Sequence, residues 1–305
     1  MRSVFLIMAI TYKVFAQVSP VVNEVQAAAM ARNYAAAESK IAAFRASNGP
    51  ASDSILALSW LARGALNNGD FAKAETYADE TRKLALAELK HRRLDAEPNL
   101  PTALGASIEV HAQALAATGK RAEAVAFLHQ EVQTWSNSSM ELRIQKNLNL
   151  LTMEGKPAPA LDITNYVGEK PAPLASLHGH VVLLFFWAHW CGDCKVEAPV
   201  LQQLNTTYGP KGLVIVAPTQ HYGYAANGEE VPRDVETNWI DAMRQRYYAR
   251  VGPMTAPVSE QNFRTYGASS MPTFVLIDKQ GIVRLYYPGK MSYGGLATPI
   301  EKLLR

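Results

Sequence analysis

VVLLFFWAHWCGDCKVEAPVLQQL runs from residue 181 to residue 204. Its first eight residues are a continuous apolar, β-branched and aromatic run, the pattern of a strand buried on both faces. Helical spacing then begins at Cys194 and continues to about Tyr208. The chain must therefore turn sharply at Cys191, and Cys194 lies one helical turn further in. These are the only two cysteines in 305 residues. Three uses are open to them: a structural disulfide, half of a metal site, or a redox centre.

A metal site needs about four ligands. His178 and His180 precede the strand and His189 follows it. A seven-residue strand spans ~23 Å, so the first two histidines fall at the wrong end and read as turn residues. A structural disulfide closing so short a loop removes little unfolded-state entropy. The redox reading uses the placement. Partial positive charge at a helix start stabilises a Cys191 thiolate, and thiols so placed drop from a pKa of ~8.5 into the range ~3.5–7.5. Helix burial shields Cys194, so Cys191 attacks and Cys194 resolves. The dithiol itself carries the electrons; no small cofactor and no metal are called for.

Further along, residues 212–219 form a second apolar strand, residues 233–249 a helical pattern, and residues 273–289 a hairpin turning at DKQG. PIEKLLR supplies a closing helix. Strands alternating with helices and then a hairpin predict a central mixed β-sheet flanked by helices. A proline- and glycine-rich lead-in, residues 154–180, marks where this domain begins.

Before it, residues 18–151 are rich in Ala, Leu and Glu at helical spacing. RNYAAAESKI, GDFAKAETYA and GKRAEAVAFL recur there; aligned on Asn33, Asp70 and Lys120, they lie 37 and then 50 residues apart. The paired alanines in each copy allow close helix approach. This region resembles tetratricopeptide repeats, but departs from their 34-residue period. The wider spacing implies an insertion at HRRLDAEPNLPTALG, where Pro98 and Pro101 break helices. Such a domain either offers a protein partner a concave surface or acts as a spacer or dimerisation unit. The expected organisation is α+α/β: a leader at 1–16, a helical-repeat domain at 17–152 and the second domain at 153–305.

The leader reading rests on Arg2, the apolar run Val4 to Ile10, and Val14 and Ala16 before a cleavage that leaves Gln17 first. The run falls far short of the ~20 residues that span a bilayer. An extracytoplasmic protein, periplasmic or secreted, is expected, and two close cysteines with no spare thiol suit an oxidising compartment. A formal net charge of +3 argues against nucleic acid, and the short basic run at Lys90 to Arg93 reads as a solvated face.

The stretch from GKPAPALD to the C-terminus resembles the TlpA/ResA branch of thioredoxin-like thiol–disulfide oxidoreductases. The likeness is carried by Trp190 before the first cysteine, by Pro199 where that branch kinks its active-site helix, and by YGASSMPTFVLID. It implies a thioredoxin fold with Pro272 in the cis form, and a Met271 backbone that pairs with an extended substrate peptide. It also implies that Glu197 accepts the Cys194 proton during resolution. Phe185 stands where thioredoxin has a buried aspartate, which leaves that task to Glu197. Asp193 stands where thioredoxin has proline; its charge raises the Cys191 pKa and leans the protein toward reduction. Trp190 is expected to shield the disulfide. The branch inserts a helix and a strand between residues 220 and 263, for which residues 233–249 and 255–259 serve. His221, Tyr222 and Tyr224, in the loop before that helix, are read as covering the sheet edge rather than lining a substrate face.

By the same resemblance the substrates are exported protein thiols or disulfides, with a membrane thiol reductase as electron donor. Two other functions compete. A thiol peroxidase of the peroxiredoxin type places Thr or Ser three residues before its cysteine, whereas Ala188 stands there. A non-enzymatic binding module would leave the cysteine pair unused.

Overall fold

The computed structural model describes residues 19–49 and 51–305, so the leader expected at 1–16 lies outside the described residues. Two compact units divide between Val110 and His111. In the first, α1 (Pro20–Met30), α2 (Tyr34–Asn48), α3 (Ser52–Asn67) and α4 (Phe71–Glu88) are followed by α5 (Asn99–Ala117), in which the division falls. Val21, Val22, Val25 and Ala29 of α1 are buried, as are Ile55, Leu58, Leu61 and Ala65 of α3. α3 packs on both α1 and α4.

The recurring motif is a recurring turn. Asn33, Asp70 and Lys120 are the N-cap residues of α2, α4 and α6 (Arg121–Thr134). In each turn the preceding residue is left-handed: Arg32 at φ 59°, Gly69 at 77° and Gly119 at 87°. The cap N–H then reaches back five residues, Asn33 to Ala28, Asp70 to Ala65 and Lys120 to Leu115. This is a Schellman closure, which glycine enters without penalty. Arg32 enters it against its Cβ, while its guanidinium donates to the Asn68 carbonyl at 3.2 Å. Pro98 and Pro101 do not break a helix, contrary to expectation; they bracket the start of one. Pro101 lies in the first turn of α5, where its missing N–H has no intrahelical partner to lose. The Glu97 carboxylate accepts from the Asn99 and Leu100 N–H groups at 2.7 and 2.9 Å.

The second unit opens with the last part of α5, followed by α6 and α7 (Glu141–Thr152), after which helices give way to strands. The strands are β1 (Tyr166–Val167), β2 (Val181–Phe186), β3 (Leu213–Val216), β4 (Ala256–Pro257), β5 (Thr273–Ile277) and β6 (Val283–Pro288). Four of them form a sheet in the order β3-β2-β5-β6, with β2 parallel to β3 and antiparallel to β5. β1 pairs with β4, and parallel bridges Val216–Thr255 and Thr219–Val258 carry the β4 segment along β3. Four helices lie among the strands, α8 (Gly192–Val196), α9 (Ala198–Tyr208), α10 (Arg233–Tyr248) and α11 (Glu260–Tyr266), and α12 (Tyr293–Leu304) follows β6. This is a thioredoxin fold, with the expected hairpin at β5–β6 and the expected inserted helix and strand at α10 and β4.

Every residue of β2 is buried. Its two-residue period sends Val181, Leu183 and Phe185 into one core with α9, α10 and α12, and Val182, Leu184 and Phe186 into another with α11. Each such side chain contributes about 1.5–3 kcal/mol by leaving water. The helix expected from Cys194 to Tyr208 is broken at Glu197 into α8 and α9. Pro199 has no N–H to continue the helical ladder back to Lys195. Among the described residues, no helix is long and apolar enough to cross a membrane.

Candidate active site

β2 ends in a turn whose position is fixed by Trp187. Its indole N–H donates to the Ala217 carbonyl at 3.0 Å and its backbone N–H to Pro218 at 3.1 Å. Its carbonyl accepts from the Thr219 hydroxyl at 2.9 Å. From this anchor the chain runs through Ala188, His189 and Trp190 into Cys191, the N-cap of α8. Cys191 and Cys194 are joined in a disulfide with their Cα atoms 5.3 Å apart. The Cys194 N–H donates to the Cys191 sulfur at 3.0 Å. With α8 only five residues long, this local N–H, rather than a long helix dipole, is the group that favours a Cys191 thiolate. Cys191 is 4% exposed and Cys194 wholly buried.

Pro272 follows a cis peptide bond from Met271. Because β2 and β5 are antiparallel with Phe186 opposite Thr273, the Met271–Pro272 corner stands beside the strand end that leads to Cys191. Cys191 belongs to the apolar core against which the half-buried Met271 packs. The Pro272 carbonyl accepts from Gly289 at 2.8 Å, fixing the corner to the end of β6.

Glu197 is 3% exposed, not a surface carboxylate. Burial raises its pKa above the ordinary value, while the Met291 N–H and the Lys290 ammonium pull it down and Asp193 pushes it up. Its Oε2 has no hydrogen-bond partner. Asp193, read from the sequence as a bare charge beside the thiolate, pairs with Lys290 at 3.1 Å. Sequence reasoning missed the 290–291 segment entirely, since it lies 97 residues from Asp193 and no local pattern announces it. Phe185 is enclosed by Tyr248 and Phe274 at ring distances of 5.8 and 5.4 Å.

Trp190 is 47% exposed and meets the edge of Tyr222 at 5.4 Å. Behind it, Tyr222 and Tyr224 both pack on His189, so this loop does more than cover a sheet edge. His189 Nε2 lies 3.3 Å from Oε1 of Glu236, both side chains being enclosed. Burial lowers the His189 pKa; the Glu236 charge opposes this. Sequence reasoning missed Glu236 too. Its signal was faint: an acid in the first turn of α10, indistinguishable from an ordinary helix-start carboxylate.

Residues 155–286 match the AhpC/TSA family. The thiol-disulfide oxidoreductase ResA of Bacillus thuringiensis is 31% identical over 149 residues, which cover 49% of this chain and 78% of that protein. The thiol:disulfide interchange protein DsbE of Pseudomonas fluorescens is 31% identical over 137 residues, 45% of this chain and 67% of that protein. A solved thioredoxin family thiol:disulfide interchange protein of Chlorobium tepidum covers 49% of this chain and 97% of its own, at 21% identity and a TM-score of 0.37. With a disulfide of CXXC spacing at the end of a buried central strand, and a ResA relative matched over most of its length, the chain belongs to the thioredoxin-like thiol–disulfide oxidoreductases of the ResA type.

Proposed function

We propose that this protein is an exported reductant of protein disulfides, working outside the cytoplasm through Cys191 and Cys194. The observation that carries the reading is the asymmetry of the pair: Cys191 caps a helix and accepts an N–H, while Cys194 is fully buried behind it. In the reduced protein the Cys191 thiolate attacks one sulfur of a substrate disulfide, and the other sulfur leaves as a thiolate. Glu197 takes the Cys194 proton. The Cys194 thiolate then attacks Cys191, the mixed disulfide breaks, and the second substrate sulfur leaves. Two electrons pass to the substrate and the Cys191–Cys194 disulfide remains. Trp190, Met271 and Pro272 dock the substrate, with the Met271 backbone pairing to an extended peptide. A membrane thiol reductase restores the dithiol, and the helical region binds a protein partner.

Cys194→Ser is expected to trap mixed disulfides with a peptide disulfide, and Cys191→Ser to abolish exchange. Trapping by Cys191→Ser alone would reverse the roles. The AhpC/TSA match favours a second reading, a thiol peroxidase. Peroxide consumption faster than peptide-disulfide reduction by the same pre-reduced protein would replace the first reading with it.

A further inference from the structure

Glu236 is fully buried, a costly place for a carboxylate unless hydrogen bonds replace its water. They come from one loop. Oε1 accepts from the Tyr222 N–H at 2.5 Å and Oε2 from the Gly223 N–H at 2.9 Å. The same carboxylate faces His189, two residues before Cys191. The His189 ring is met edge-on by Tyr222 at 5.6 Å and Tyr224 at 5.4 Å. Tyr222 in turn presents its ring to Trp190 at 5.4 Å. A chain of contacts thus runs from α10, through the loop backbone, to the half-exposed indole beside the reactive cysteine.

Loops held only by their own turns fluctuate, and an aromatic wall on such a loop would be blurred. Glu236 removes that freedom by binding two successive N–H groups, and His189 fills the space behind the Tyr222 ring. Trp190 is left with one flank supported and the other open to solvent.

We propose that His189 and Glu236 are positioning residues that hold Tyr222 and Trp190 as one wall of the substrate cleft, selecting polypeptide disulfides over small ones. A polypeptide lies along the wall while its disulfide reaches Cys191. A small disulfide touches the sulfur alone and gains nothing from the wall. The inference rests on the dithiol-exchange reading above.

The test uses the full chain, pre-reduced, in single-turnover reaction with a disulfide-bridged linear peptide and, separately, with hydroxyethyl disulfide. In Glu236→Gln the ratio of the two second-order rate constants, peptide over hydroxyethyl disulfide, is expected to fall about three- to tenfold, the worth of one or two aromatic contacts. Tyr222→Leu breaks the Trp190 contact while leaving the buried carboxylate in place, and decides the matter if Glu236→Gln does not fold. It is expected to lower the same ratio. Rates that fall together, or a ratio that stays at the wild-type value, overturn the selectivity role. Wild-type protein inert toward both probes would instead overturn the exchange reading itself.

Discussion

Glu197 shows how much of a residue's chemistry lies in its surroundings. Its spacing from Cys191 is legible in the sequence. Its neighbours are not: Met291 and Lys290 arrive from the connection after β6. Burial raises its pKa, so the folded protein holds this proton more tightly than the unfolded chain. Between the ordinary value of about 4.5 and the raised value, stability therefore falls as pH rises, and above both the full cost is present. Glu197→Gln removes a charge that is costly to bury. It is expected to raise the melting temperature at pH 7 by more than at pH 4, while slowing resolution of the mixed disulfide and flattening its pH profile. Equal shifts at the two pH values would mean that the carboxylate carries no burial cost. Asp193 teaches a related lesson. The sequence supplies its charge, but not the Lys290 that answers it.

Elements were read from period. β2 announced itself within eight apolar residues in a row, and the structure divides its six alternately between two cores. The break between α8 and α9 was legible in Pro199 alone. The aligned Asn33, Asp70 and Lys120 marked a recurring motif without revealing that each caps a helix after a left-handed residue. Gly267 is an element terminus with a second constraint. It closes α11 in the left-handed region at φ 58°, and a Cβ there would come 2.5 Å from the Lys146 nitrogen and 2.8 Å from its Cα. Both obstacles are backbone, so neither yields cheaply. The carbonyls of Tyr266 and Gly267 also accept from the Tyr286 hydroxyl at 2.8 and 3.3 Å, tying the approach to Pro272 onto β6. Gly267→Ala is expected to lower stability by about 2–4 kcal/mol, from backbone strain plus the clash. Urea denaturation measures it; a loss below 1 kcal/mol would show that α7 shifts away freely.

At the scale of the molecule, the composition change after residue 152 and the division of compact units do not coincide. Composition changes where α7 ends and strands begin, because amphipathic helices and buried strands differ in pattern. Compactness follows tertiary contact, which crosses that point. α7 packs on α11 and β6, Leu142 packs against the core that holds Phe186, Phe263 and Tyr266, and Asn149 donates to the Thr265 carbonyl at 3.3 Å. Phe186 lies 44 residues beyond Leu142, and α11 and β6 lie more than a hundred residues beyond α7, so none of these contacts is local in sequence. A periodicity argument therefore could not assign α7 to the redox unit. The consequence is measurable. A fragment of residues 153–305 keeps the cysteine pair, Glu197 and Pro272 but loses the helix that packs on α11 and β6. A fragment of residues 111–305 keeps both. The shorter fragment is expected to unfold at lower urea and to be less stable by at least about 2 kcal/mol, the burial of one apolar side chain. It should also bind an apolar dye over the uncovered α11 and β6. Equal midpoints and no dye binding would show that α7 is a passenger on the unit, and that the change of composition is the true boundary.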